Sequence, residues 1–310
     1  MPLFPQSALK PGVRKREVFG WAMYDFANSG YTTVVLTAVF SAYFVGGVAG
    51  GEAWGTLAWT SALALSSLIV MLTMPIIGAY ADLRAAKKRL LMVSTLGCVA
   101  ATAALAGVGP GDVAWALIAI VLSNVFYTYG ESLIASFLPE LAREDRMGSV
   151  SGWGWSFGYL GGMLTLGLSL GYVLWAQAKG LPASHFVPVT MLVTAGIYGA
   201  SALVTFALLK ERARPQTATA SEAGVKASLV RLKRTWDEAS SFPDFSALLA
   251  CSVAYQAGIS VVIALAAVYA EQVLGFKQTE TMMLIFLVNI AAAIGAFAWG
   301  YVQDRIGHRP

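Results

Sequence analysis

Two acidic residues, Asp25 and Glu131, stand inside long apolar stretches of the sequence. An ionisable side chain inside a bilayer is costly, so such a residue is a functional candidate by default. Asp25 lies seven residues beyond Val18, which is ~10 Å along a helix entered there. Glu131 lies seven residues before Leu138, again ~10 Å from the matching end of another apolar run. The two carboxyl groups are therefore expected at similar depth. Chemically, such a group can carry a proton or hold the ammonium group of a solute. It can also serve structure alone. Asp25 could cap neighbouring backbone, and Glu131 could pair with Arg84 or Arg143.

Polar and aromatic residues accompany the acids. Tyr24, Asn28 and Tyr31 flank Asp25, and Asn28 and Tyr31, three apart, share a helix face. Asn124, Tyr127 and Glu131 fall at i, i+3 and i+7, a single stripe. Tyr255, Gln256 and Asn289 lie in later apolar runs and extend the set. Any one of them is equally an interhelical hydrogen-bonder; together they form a candidate site for a polar solute and protons. No Lys or Arg lies deep in any apolar run, which disfavours an anionic solute and leaves neutral, zwitterionic and cationic ones.

Other chemistry is not expected. Cys98 and Cys251 sit in apolar runs and read as packing residues. His185 and His308 are in loops and far apart. There is no Cys/His ligand spacing, phosphate loop or nucleophile elbow, so neither an enzyme, a metal site nor a cofactor is expected.

The elements that carry these residues follow from composition. The chain is 57% hydrophobic and 12% charged, against roughly 25% charged in soluble domains. Crossing ~30 Å of hydrocarbon takes about 20 apolar residues. Eight spans are expected, over 18–46, 54–80, 89–108, 113–138, 148–176, 186–209, 244–271 and 279–302. Counted against these spans, 19 of the 21 lysines and arginines fall on one side, and only Lys179 and Lys277 on the other. Cytoplasmic loops collect Lys and Arg, so the N-terminus is expected in the cytoplasm. The net charge of +4 then reflects loops facing an anionic leaflet, with the lipid bilayer as partner and no nucleic acid. The first apolar run is too long for a signal peptide and is expected to remain as the first span.

Residues 210–243 are polar, basic and long. Within them Val225, Leu229, Leu232 and Trp236 recur at helical spacing, with Lys226, Arg231, Lys233 and Arg234 on other faces. That pattern predicts a helix lying on the membrane surface.

A repeat is also present. Gly78 and Asp82 end the second span and lead into Lys87, Lys88 and Arg89. Gly300, Asp304, Arg305, Gly307 and Arg309 end the eighth. A motif recurring at matching positions of two halves points to parallel repeats. Glycine there lets a neighbouring helix approach, and Asp can accept from an Arg or a helix N-terminus.

This Gly-x-x-x-Asp-Arg-x-Gly-x-Arg pattern resembles the signature loop of the major facilitator superfamily, with Leu83 and Ala85 as departures in the first copy. Trp21-Ala-Met-Tyr24-Asp25-Phe26-Ala27-Asn28-Ser29-Gly30-Tyr31 is similar to the opening of its vacuole-effluxer-like branch of amino-acid effluxers and permeases. Phe137 to Leu141 and Gly158 to Gly162 resemble that branch as well. The resemblance implies an all-α polytopic bundle of twelve helices in two halves, of which eight are present. It divides the chain into a six-helix bundle (1–209), a cytoplasmic linker (210–243) and the first two helices of a second bundle (244–310). It places the first and fourth spans on a central cavity. It also makes Gly154, Gly158 and Gly162, with Ala292, Ala296 and Gly300, a sliding contact between the fifth and eighth spans. The implied activity is secondary active transport of a small organic solute, such as an amino acid, by alternating access. Proton coupling through Asp25 or Glu131 is the favoured variant, in a monomer of a bacterial cytoplasmic membrane. The alternative is a transport-inactive sensor or scaffold of the same fold.

Overall fold

A computed structural model describes residues 5–213 and 225–306. Among them there are helices and connecting turns but no strand. In chain order the α-helices are α1 (Lys15–Tyr31), α2 (Phe40–Tyr43), α3 (Trp54–Arg84), α4 (Lys87–Ala104), α5 (Val113–Ala135), α6 (Leu138–Leu141), α7 (Met147–Ala178), α8 (Ala183–Leu208), α9 (Val225–Ser240), α10 (Pro243–Gln272) and α11 (Gln278–Ile306). Among the described residues, eight stretches are long and apolar enough to cross a membrane. They coincide with the eight expected spans. The protein is an integral, multi-pass membrane protein.

The first span departs from the expected continuous helix. After α1 the chain widens into a π-helical turn over Thr32–Ala38. It breaks at Val39 (φ −122°, ψ −62°), resumes as α2, and widens again over Phe44–Val48. The run Thr32-Thr33-Val34-Val35 explains the break, because β-branched side chains crowd the preceding turn of an α-helix. Hydroxyl groups take up carbonyls in and beside the widened turn. Thr32 donates to Asn28 O (3.1 Å), Thr37 to Thr32 O (3.0 Å) and Ser41 to Thr37 O (2.9 Å).

The turn between α3 and α4 carries the other backbone anomaly. Ala85 has φ +48°, ψ +51°, left-handed, as the residue that ends α3. Glycine is the usual occupant of such a helix end.

The first span is the most enclosed, packed against α7, α8 and α5. At the basic end the chain before it forms a strap, with Lys10 N donating to Leu141 O and Arg143 N to Ala8 O, both 3.0 Å. Glu17, 1% exposed, pairs there with Arg212 at 2.6 Å. Glu211 caps α4 by accepting from the backbone N–H of Lys87 (2.7 Å) and Lys88 (3.2 Å).

Within the 210–243 segment a helix forms, α9, and only Ser241 and Phe242 separate it from α10. Its Trp236 and Val230 are exposed, and Arg234 pairs with Glu238 at 2.7 Å. Residues 214–224 of that segment lie outside the described residues. In α10, residues 243–263 are exposed, whereas Ala267, Val268 and Ala270 at the other end are buried against the Thr32–Ala38 turn and α2.

Candidate functional site

Asp25 stands on α1 where α7 presents bare backbone. A Cβ at Gly154 would come within 2.8 Å of Asp25 Oδ2, and one at Gly158 within 3.1 Å of Asp25 O. Gly162 continues the same groove, with Thr33 Oγ1 at 2.8 Å and Asn289 Oδ1 at 3.0 Å from the position a Cβ would take. The Gly154-Gly158-Gly162 face thus packs on the first span. Gly162 also meets α11, so the face expected against the eighth span is shared with the first.

The contact between α7 and α11 lies one face over. A Cβ at Gly152 would come within 2.8 Å of Ala296 O, and one at Gly300 within 3.0 Å of Gly148 O. Ser156 Oγ donates to Ala293 O (2.7 Å), and Trp153 Nε1 to Tyr301 Oη (3.2 Å). Gly148 and Gly152 are the small residues that make this seam.

Glu131 on α5 lies near enough to Asp25 for the two carboxyl groups to interact as charges. Tyr127, one turn before Glu131, faces its carboxyl and accepts a hydrogen bond from Thr32 (3.0 Å). Its ring stacks on Tyr31, with centroids 4.8 Å apart. Among the described residues no ion pair holds Asp25 or Glu131. The proposed partner Arg143 pairs with Asp145 instead, at 3.1 Å.

The other candidates separate into four groups. Tyr24 and Asn28 turn away from this pair into the packed interior. Tyr24 Oη is 2.9 Å from Thr95 Oγ1, and Tyr198 Oη donates to Asn28 Oδ1 (2.8 Å) and Tyr24 Oη (3.3 Å). Tyr31 Oη meets Ser123 Oγ at 2.8 Å, and Asn124 donates to Ser66 Oγ on α3 at 2.6 Å. Asn289 stands on α11 at Gly162 and donates to Ile285 O. Tyr255 and Gln256 are exposed on α10, apart from the rest. Sequence reasoning passed over Tyr198, the single tyrosine of its span; that isolation was the available signal.

The two signature loops are unequal. Lys87 lies 3.5 Å from Asp82 and 3.1 Å from Glu140, and Arg89 is exposed. A Cβ at Gly78 would meet nothing within 4 Å. Among the described residues the expected close approach of a helix is therefore seen at Gly300 and not at Gly78. The side chains of Asp304 and Arg305, and residues Gly307 and Arg309 altogether, lie outside what is described.

A family described as vacuole effluxer Atg22 like matches residues 58–310. The chain is 26% identical over 292 residues to a Bacillus subtilis (strain 168) protein named uncharacterized MFS-type transporter YxiO. That alignment covers 92% of this chain and 67% of the relative. It is 30% identical over 215 residues to the ectoine/proline transporter ProP of Corynebacterium glutamicum, covering 65% of this chain and 36% of the relative. The chain thus spans two thirds of one curated relative and about a third of the other. Eight spans and no strand among the described residues, close glycine-mediated helix contacts and a family match over most of the sequence lead to one assignment: the chain belongs to the Atg22-like vacuole effluxer family, with a bundle of the major facilitator type.

Proposed function

We propose that this chain serves a secondary transporter that moves a small organic solute bearing an amino group, such as an amino acid, by alternating access. One observation carries the reading: Asp25 and Glu131 approach each other inside the bundle, and among the described residues neither is ion-paired. A pair of unneutralised carboxyl groups in low-dielectric surroundings calls for a proton, a substrate cation, or one of each. Proton coupling through one member, with the other holding the solute ammonium, uses both. The name of one relative, a transporter of ectoine and proline, supports small zwitterionic solutes.

In this reading residues 1–209 form one bundle, 210–243 the linker, and 244–310 part of a second bundle. The seam of Gly148 and Gly152 on Ala296 and Gly300 then lies between the two. The basic side faces the cytoplasm, and the membrane is a bacterial cytoplasmic one.

The test is uptake of labelled amino acids into proteoliposomes. Of Asp25→Asn and Glu131→Gln, the one that removes the proton carrier should abolish accumulation driven by a pH gradient while preserving solute exchange at equal pH, and the other should weaken both. Accumulation that survives both substitutions would remove the coupling proposal.

A further inference from the structure

A third carboxyl group, far from the first two, occupies an unusual place. Glu271 is the penultimate residue of α10, at the end opposite the basic loops. The apolar stretch of α10 runs over Pro243–Ile263, so Glu271 stands beyond it. Around it the ends of α10 and α11 close on the first span. Ala267, Val268 and Ala270 of α10 are buried, as are Thr281, Met282 and Ile285 of α11. The Thr32–Ala38 turn and α2 pack against this end of α10.

Within that seal Glu271 Oε1 and Thr281 Oγ1 are both buried, and neither has a hydrogen-bond partner. They belong to neighbouring side chains. Among the described residues no cation pairs with the carboxyl group. The Thr32–Ala38 turn has no ionisable side chain. The only titratable group of α2 is Tyr43, whose hydroxyl donates to Val108 O. On α11, Glu280 accepts from the backbone of Lys277 at 2.7 Å, and the Lys277 side chain is exposed. The charged residues of α9, among them Lys233, Arg234, Asp237 and Glu238, precede α10 and so lie at its opposite end.

An ionised carboxyl group with a buried, unpaired oxygen is costly, whereas a neutral one brings its own donor. Burial disfavours the charged form, and a proton taken from water relieves that cost, although the Thr281 hydroxyl can donate to the ionised carboxylate. We propose that Glu271 is a proton-binding residue of the outer gate, and that its neutral form holds the outer half of the first span closed on α10. The inference rests on the transport reading and on the basic side being cytoplasmic. It differs from coupling at Asp25 and Glu131 in acting on closure at the opposite end of the spans.

Gate opening can be read without transport. Ala38, fully buried in the Thr32–Ala38 turn, is changed to Cys in a Cys98→Ala, Cys251→Ser background. The protein in liposomes is labelled from outside with a membrane-impermeant maleimide. The rise of the reactive thiolate fraction with pH is corrected for by a free-thiol standard at each pH. Corrected labelling should rise about tenfold or more as outer pH rises through the range in which a buried carboxyl group loses its proton, one pH unit being worth a factor of ten. Glu271→Gln, neutral at every pH and still a donor to Thr281, should keep labelling slow throughout. Thr281→Val removes a hydroxyl that can donate to the ionised carboxylate and should move the transition to higher pH. Labelling of Glu271→Gln that follows the parent, or a transition in Thr281→Val that stays in place, would overturn the proposal. Solute exchange at equal pH, measured on the same liposomes, reports transport separately. Exchange that fails while the pH response persists counts against the transport reading and not against the gate.

Discussion

Gly154 and Asp25 are fitted to one another, because the space a methyl group would need on α7 is the space the Asp25 carboxyl and the Trp21 ring already fill. Gly154→Ala should therefore cost about 1–3 kcal/mol as overpacking, with displacement of Asp25 and reduced uptake. Gly196, on α8, has nothing within 4 Å of its would-be Cβ. Gly196→Ala should be neutral or stabilising by up to ~1 kcal/mol. Thermal unfolding in detergent compares the two, and equal midpoints would show that α1 and α7 are not in this contact.

Tyr198 is the hub of a buried polar cluster, bonded to Asn28 and Tyr24. Tyr198→Phe keeps the ring and leaves Asn28 Oδ1 without its donor. A loss of about 1–3 kcal/mol is expected, the cost of one stranded buried acceptor. Chemical denaturation in detergent should show it, together with faster hydrogen exchange in α1; an unchanged midpoint would count against the cluster.

Ala85 pays a left-handed penalty at the end of α3. Ala85→Gly should raise stability by about 1 kcal/mol, since glycine adopts this conformation without a Cβ clash. A thermal shift downward would mean that the turn between α3 and α4 is not left-handed.

Glu17 is 1% exposed and depends on Arg212, whose side chain is 30% exposed. Removing the cation alone strands a buried charge, so Arg212→Ala should cost about 3–5 kcal/mol. The double variant Glu17→Leu with Arg212→Met should recover much of it. If the single and double variants unfold alike, the pair does not form.

Much of the architecture was legible from periodicity and charge. Apolar run lengths located all eight spans, and Val225, Leu229, Leu232 and Trp236 marked α9 before its backbone was seen. The break in the first span was not foreseen, although Thr32 to Val35 carried its cause. Hydropathy does not distinguish an α-helix from a wider one. The site was half legible. Depth arithmetic matched Asp25 with Glu131, and the i, i+3 spacing brought Tyr127 along. Facing was harder. Tyr24 and Asn28 are adjacent to the acid in sequence but point toward α4 and α8, because direction around a helix axis is set by neighbours that one strand of sequence does not name. The glycines of α7 pack on the first span as well as on the eighth, since small residues mark closeness without saying to what.

The enclosure of the first span has a consequence for biosynthesis. Trp21 donates to Ile134 O, 113 residues later, and Asn28 receives its bond from Tyr198, 170 residues later. At ~5–20 residues per second, the ribosome takes roughly 10–35 s to supply that last partner. Throughout that interval the span holding Asp25 and Asn28 is already made but not yet surrounded. The part of the protein that ends most deeply packed is therefore the part that waits longest, and its survival depends on whatever shelters a polar helix at the insertion site.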